Sequence, residues 1–149
     1  YEINNSSVDS NLFQTTDILL VGAPSVFGSL KGGICKQDLV QIPLIYSDIW
    51  DSYLEDISKH TLSGGMVFRV HSNMLASAKQ FCLAGTGCCF LPEAMLEEEL
   101  EEGTLIRIPI YDLPVRSVDT YIAYQRGNTN SEAIKDWNRY YREAASAAK

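Results

Sequence analysis

Short apolar runs alternate along this chain with longer stretches of helical periodicity. Residues 18–21 (Ile-Leu-Leu-Val) are continuously apolar between Asp17 and Gly22-Ala23-Pro24, which predicts a buried strand followed by a break. Residues 25–36 carry Gly28, Gly32 and Gly33 and predict a loop. After a turn at 37–40, residues 43–46 predict a second strand, and Ser47 or Asp48 can cap a helix running from about 49 to 59. Ile49, Trp50, Tyr53, Leu54 and Ile57 form the apolar stripe of that helix. Gly64-Gly65 then separates it from a third strand at 66–70. Asn73 or Ser72 can cap the next helix, which runs to about Ala84 with Met74, Leu75, Ala78, Phe81 and Cys82 on one side.

The second half repeats the alternation. Gly85-Thr86-Gly87 predicts a turn, residues 88–91 a fourth strand, and Pro92 the first turn of an acidic helix that Gly103 terminates. Residues 105–110 read as a strand, Pro114 as loop, and 118–124 as another strand before a polar break at 126–130. Ser131 opens a last helix to about Ala145, with Ile134, Trp137, Tyr141 and Ala144 at core spacing. Strands alternating with helices of ten or more residues predict an α/β domain with a largely parallel sheet flanked by helices.

Charge changes this picture in one place. The 149 residues carry 12 Lys and Arg against 19 Asp and Glu, a net charge of −7, so nonspecific binding of nucleic acid by this segment is not expected. Six glutamates, at 93, 97, 98, 99, 101 and 102, fall in one stretch without a basic residue. That stretch reads as the solvated face of a helix whose Met95, Leu96 and Leu100 turn inward, or as a docking surface for a basic partner. Cys35, Cys82, Cys88 and Cys89 form no C-x-x-C motif, and neither His60 nor His71 stands at a zinc-like spacing. No metal or cofactor is expected; within the apolar run 88–91 a thiol behaves as a small hydrophobe. A chain of this length buries a sizeable core without staples, and no apolar run approaches the roughly 18 residues of a membrane span.

In open α/β sheets ligands collect at the carboxyl ends of strands. Here that rule selects Tyr46-Ser47-Asp48, His71-Ser72-Asn73 and Pro92-Glu93. Ser72 and Asn73 are the best candidates, because the amino end of the following helix presents free N–H groups able to hold an anion without a basic side chain. The competing reading is that Ser72 and Asn73 only cap their own helix. No carboxylate is placed by sequence beside His71 to make a triad. Gly85-Thr86-Gly87 lies between helix and strand, whereas dinucleotide loops run from strand to helix. Without a G-x-S-x-G elbow, a P-loop or an H-E-x-x-H, an enzyme is not expected.

The run Ala84-Gly85-Thr86-Gly87-Cys88-Cys89-Phe90-Leu91-Pro92-Glu93, followed by Leu100-Glu101-Glu102-Gly103-Thr104-Leu105-Ile106-Arg107-Ile108, resembles the C-terminal effector domain of LysR-type transcriptional regulators. Residues 17–24, 37–43 and 70–73 agree with that pattern, and the resemblance extends over about 13–141. It implies a periplasmic-binding-protein-like (type 2) fold of two α/β subdomains with a small effector in the cleft. Residues 17–24 and 118–124 would be the crossing strands, 25–117 the second subdomain, and 131–145 a helix returning to the first. Effector contacts would fall on Ser72, Asn73 and Met74, with Tyr46, Ser47 and Asp48 less firmly implied.

The resemblance further implies a cytoplasmic homo-oligomer that touches DNA only through an N-terminal helix-turn-helix, with no membrane association. Because the chain starts at Tyr1 rather than Met, it is expected to be part of a longer protein, with the helix-turn-helix and most of the first subdomain preceding it. Trp137, Tyr140 and Tyr141 are then expected to expose apolar surface that promotes self-association. Two alternatives remain at this level: a solute-binding protein of a transporter, and a thiol-based redox sensor or enzyme using Cys88 or Cys89.

Overall fold

A computed structural model describes residues 7–59, 65–126 and 131–147. Gly64 and residues 127–130 lie outside the described residues, as do the side chains of Tyr141 and Ala144. The strands are β1 (Val8–Gly22), β2 (Pro43–Tyr46), β3 (Val67–His71), β4 (Cys89–Pro92), β5 (Ile106–Arg107) and β6 (Arg116–Gln125). The helices are α1 (Pro24–Phe27), α2 (Asp51–Lys59), α3 (Leu75–Leu83), α4 (Glu97–Glu102) and α5 (Ser131–Ala147). The chain divides into two compact units, Thr15–Val118 and Tyr1–Gln14 with Asp119–Lys149.

In the larger unit β2 and β3 pair in parallel. A parallel bridge at Leu44 and Cys88 joins β2 to β4, with Ile45 N donating to Cys88 O and Cys88 N to Pro43 O, both at 2.8 Å. β1 runs antiparallel to β4 and to β5. Hence β2, β3, β4 and β5 share one direction and β1 opposes them, so the expected parallel character holds among those four strands, while β1 pairs antiparallel with β4 and β5. β3 carries one extra residue: Leu44 faces Phe68 while Ile45 faces Val70, which leaves Arg69 as a bulge.

The uninterrupted apolar runs follow from helices lying on both faces of the sheet. Ile18, Leu20, Cys88 and Phe90 point into one cluster with Trp50, Tyr53 and Ile57 of the α2 side. Leu19, Val21, Cys89 and Leu91 point into another with Ala78 and Cys82 of α3 and with Leu96 and Leu105. Each buried Val, Leu, Ile or Phe among them contributes roughly 1.5–3 kcal/mol of burial, and alternation assigns successive residues to opposite faces.

Several elements depart from the sequence expectation, each for a local reason. β1 begins at Val8, because the upstream Asn11, Gln14, Thr15 and Thr16 mask a strand that is only partly covered. Most of the segment expected as loop at 25–36 is short helical turns, with Pro24 starting α1 and a 3-10 turn at Gly28–Gly32, before a bridge at Ile34. Pro92 closes β4, and a 3-10 turn at Glu93–Met95 precedes α4, so the acidic helix starts later than expected. Leu96 between them is fully buried, and Gly103 ends α4 with φ of 74°. The strand expected at 105–110 shortens to two residues; Pro109 cannot donate to a ladder, and Ile110 instead bridges Ile34. Ile49, Met74 and Phe81, placed on core stripes by periodicity, are exposed, as are Val67 and Phe68 on the edge strand β3.

In the smaller unit Arg126 clasps Asp9, with Nε at 3.0 Å and Nη2 at 2.7 Å from Oδ1. Asn11 Nδ2 donates to the Tyr124 hydroxyl at 3.3 Å. Phe13 stacks on Trp137 of α5 at 5.9 Å, while Trp137 remains 47% and Tyr140 71% exposed.

Candidate functional site

The parallel pairing of β2 and β3 brings together two of the three strand ends that sequence singled out. The Arg69 bulge sets the register so that Tyr46 faces His71, and the Ser72 N–H donates to Tyr46 O at 2.9 Å. The rings of Tyr46 and His71 meet edge-on at 4.9 Å. Tyr46, Ser47, Asp48, Ser72, Asn73 and Met74 thus gather at the carboxyl edge of the sheet, above the amino ends of α2 and α3. Ser47 is fully buried, Ser72 nearly so, and Asp48, Asn73 and Met74 are exposed.

The two helix starts differ electrostatically. That of α2 is preceded by the 3-10 turn Asp48–Trp50 and opens with Asp51, so carboxylates already offset its positive end. The first turn of α3 contains no acidic residue. Its N-cap is Met74, which has no side chain able to satisfy a backbone donor. Neither Ser72 nor Asn73 caps α3. The Ser72 Oγ instead accepts the Met74 N–H at 3.3 Å and donates to Met74 O at 3.0 Å, a closed local turn that delays the helix. The capping expectation fails for Ser47 as well, which occupies the position before the Asp48 turn with no side-chain cap bond. Its Oγ is buried and has no hydrogen-bond partner.

Sequence reasoning missed the carboxylate beside His71. Asp48 Oδ1 lies 2.5 Å from His71 Nε2, and the Tyr46 hydroxyl donates to Asp51. No spacing rule could find a pair separated by 23 positions; only the β2–β3 register does so. The Ser72 hydroxyl turns toward Met74 rather than His71, so the corner holds an Asp–His pair with no serine activated by it. Pro92 and Glu93, the third strand end, lead instead into the turn at Glu93–Met95.

The cysteines offer no reactive thiol in the core. Cys82, Cys88 and Cys89 are buried and free, and Cys35 is exposed. Burial pushes the Cys82 and Cys88 thiols up to about 12 and Cys89 higher still, and Cys82 Sγ donates to Val21 O at 3.3 Å. Protonated thiols are poor nucleophiles, which turns the expectation away from chemistry at Cys88 or Cys89. Among the described residues no group of three or more His, Cys, Asp or Glu could hold a metal, and no helix is long and apolar enough to cross a membrane.

A helix-flanked sheet whose strand ends collect small polar groups, with a helix start free of acidic residues beside them, is the arrangement in which open α/β domains hold small molecules. The chain belongs to the LysR substrate binding domain family, whose model matches residues 2–146. Its fold is the periplasmic-binding-protein-like type 2 fold, and its role in that family is ligand sensing for transcription regulation. It is similar to the effector domain of the transcriptional regulator AmpR of Pseudomonas aeruginosa, with TM-score 0.71 and 14% identity over 97% of this chain and 67% of that one. The apo regulatory domain of HypT from Salmonella typhimurium gives TM-score 0.69 and 20% identity over 97% and 68%. The regulatory domain of NMB2055 (MetR) from N. meningitidis gives 0.63 and 19% over 99% and 68%. Against full-length HypT the chain spans 50% of the length. No curated protein matches the chain.

Proposed function

We propose that the effector of this domain seats a polar, acceptor-rich group on Ser72, Asn73 and the first turn of α3, with Met74 beside it and Tyr46, Ser47 and Asp48 as the neighbouring wall. The observation that carries the reading is the Tyr46–His71 register, which places both strand ends at one corner. An anionic group is favoured on the α3 side, where backbone donors are free of acidic competition, and a donor group on the Asp48 and Asp51 side. Occupancy then acts on transcription through the DNA-binding region of an oligomeric cytoplasmic regulator, by binding one pose of the protein more tightly than another. The match to LysR regulators supports this over a transport receptor.

The test is a thermal-shift screen of small carboxylates, repeated with Ser72→Ala and Asn73→Ala. A ligand at 100 times its Kd adds about 2.7 kcal/mol of stability. A hit whose shift shrinks in either variant supports the site, whereas undiminished shifts in both variants overturn it.

A further inference from the structure

A separate depression of about 410 Å³ lies in the larger unit away from the strand-end corner, between α2 and the segment leading into β6. That volume falls within the roughly 300–1000 Å³ of small-molecule pockets. The Tyr53 ring is part of its lining; it is 7% exposed and braced edge-on by Phe90 at 5.3 Å. Leu113 and Val115 add apolar wall, and Val115 stands 53% exposed. An aromatic or branched aliphatic group fits against such a rigid apolar surface.

The charged lining is balanced, with Lys36 and Arg116 against Asp56 and Asp112. The Arg116 guanidinium sits 5.6 Å from the Tyr53 ring centroid and reaches Asp56 by a single contact of 3.5 Å, which leaves most of its five donors unused. The Lys36 N–H donates to Asp112 Oδ1 at 2.5 Å, so backbone fixes that carboxylate without drawing on the Lys36 ammonium. A monoanion entering here meets two carboxylates, and a monocation meets two cations. A molecule bearing both charges on one carbon satisfies both pairs. We propose that this pocket binds a free amino acid with an apolar side chain, its carboxylate on Arg116 and Lys36, its ammonium toward Asp56 and Asp112, and its side chain over Tyr53. Because residues 112–116 run directly into β6, occupancy ties that segment to α2.

Isothermal titration of the 149-residue chain with L-phenylalanine and L-leucine, and with phenylacetate and phenethylamine as singly charged analogues, tests the assignment. Saturable binding is expected for both amino acids and at least about tenfold weaker binding for each analogue. Arg116→Gln should weaken binding at least about tenfold. Val115→Trp, a change at an exposed position, should abolish it by filling the pocket. Should Arg116→Gln lose its unfolding transition in urea, Val115→Trp carries the test. Absence of binding up to about 10 mM, wild-type affinity in Val115→Trp, or phenylacetate binding as tightly as phenylalanine overturns the proposal.

Discussion

Replacing Ser47 by alanine separates two opposite expectations for one hydroxyl. A serine before a helical turn normally supplies a cap bond, and its loss costs about 0.5–2 kcal/mol. Here the Ser47 carbonyl accepts the Trp50 N–H at 3.0 Å, but the side chain makes no cap bond and its oxygen is buried without a partner. A buried hydroxyl lacking a hydrogen bond costs about 1–3 kcal/mol on scales drawn from mutation. Ser47→Ala removes that oxygen, retains the Cβ and opens a void of one atom. The substitution is therefore expected to stabilise the domain by about 1 kcal/mol, raising Tm by roughly 2–4 °C at this chain length. Urea unfolding followed by circular dichroism should show a higher midpoint with unchanged slope. A loss of about 0.5 kcal/mol or more, within reach of a working cap, would refute the reasoning. If the hydroxyl is retained for the effector, the same variant should show a smaller ligand-induced shift.

Gly87→Ala should be strongly destabilising, since a Cβ there would stand 2.7 Å from the Pro43 carbonyl oxygen, against backbone that bonds Cys88; a loss of about 1–3 kcal/mol is expected in the same urea experiment. Glu99 is held below the usual carboxylate range by the hydrogen bond from Lys79, whose Nζ lies 2.5 Å from Oε1. A depressed folded pKa means the pair stabilises fully above the unfolded value of about 4.3 and loses its effect as pH falls through the folded value. Wild type should therefore exceed Glu99→Gln by about 1 kcal/mol at neutral pH, with the gap closing below about pH 4; a gap unchanged by acid contradicts the assignment. Titration of the native protein with a thiol reagent at neutral pH should label Cys35 quickly and Cys82, Cys88 and Cys89 only on unfolding. Fast labelling of any of those three would show that the core opens.

The elements most legible in the sequence were those whose packing is two-sided. Residues 18–21 and 88–91 are apolar without interruption because helices cover both faces of their strands, and the Gly103 stop follows from its left-handed backbone. Elements with one weak face were harder. The first half of β1 hides behind Asn11, Gln14 and Thr15, and Met74 and Phe81 fit a helical stripe yet point to solvent. The site divided in the same way. The strand-end rule selected Tyr46–Asp48, His71–Asn73 and Pro92-Glu93 because it depends on chain direction alone, and Met74 followed from the family resemblance. The Asp48–His71 contact and the unpartnered Ser47 hydroxyl depend on register, which a local pattern does not encode.

The extra residue in β3 bears on how copies of this domain behave at high concentration. An outer strand displaying Val67 and Phe68 would, if flat, be a template on which a neighbour's backbone could zip up. Arg69 breaks the regular spacing of the ladder and adds a charge midway along it. Deleting that one residue, or making it valine, would convert a guarded border into an adhesive one.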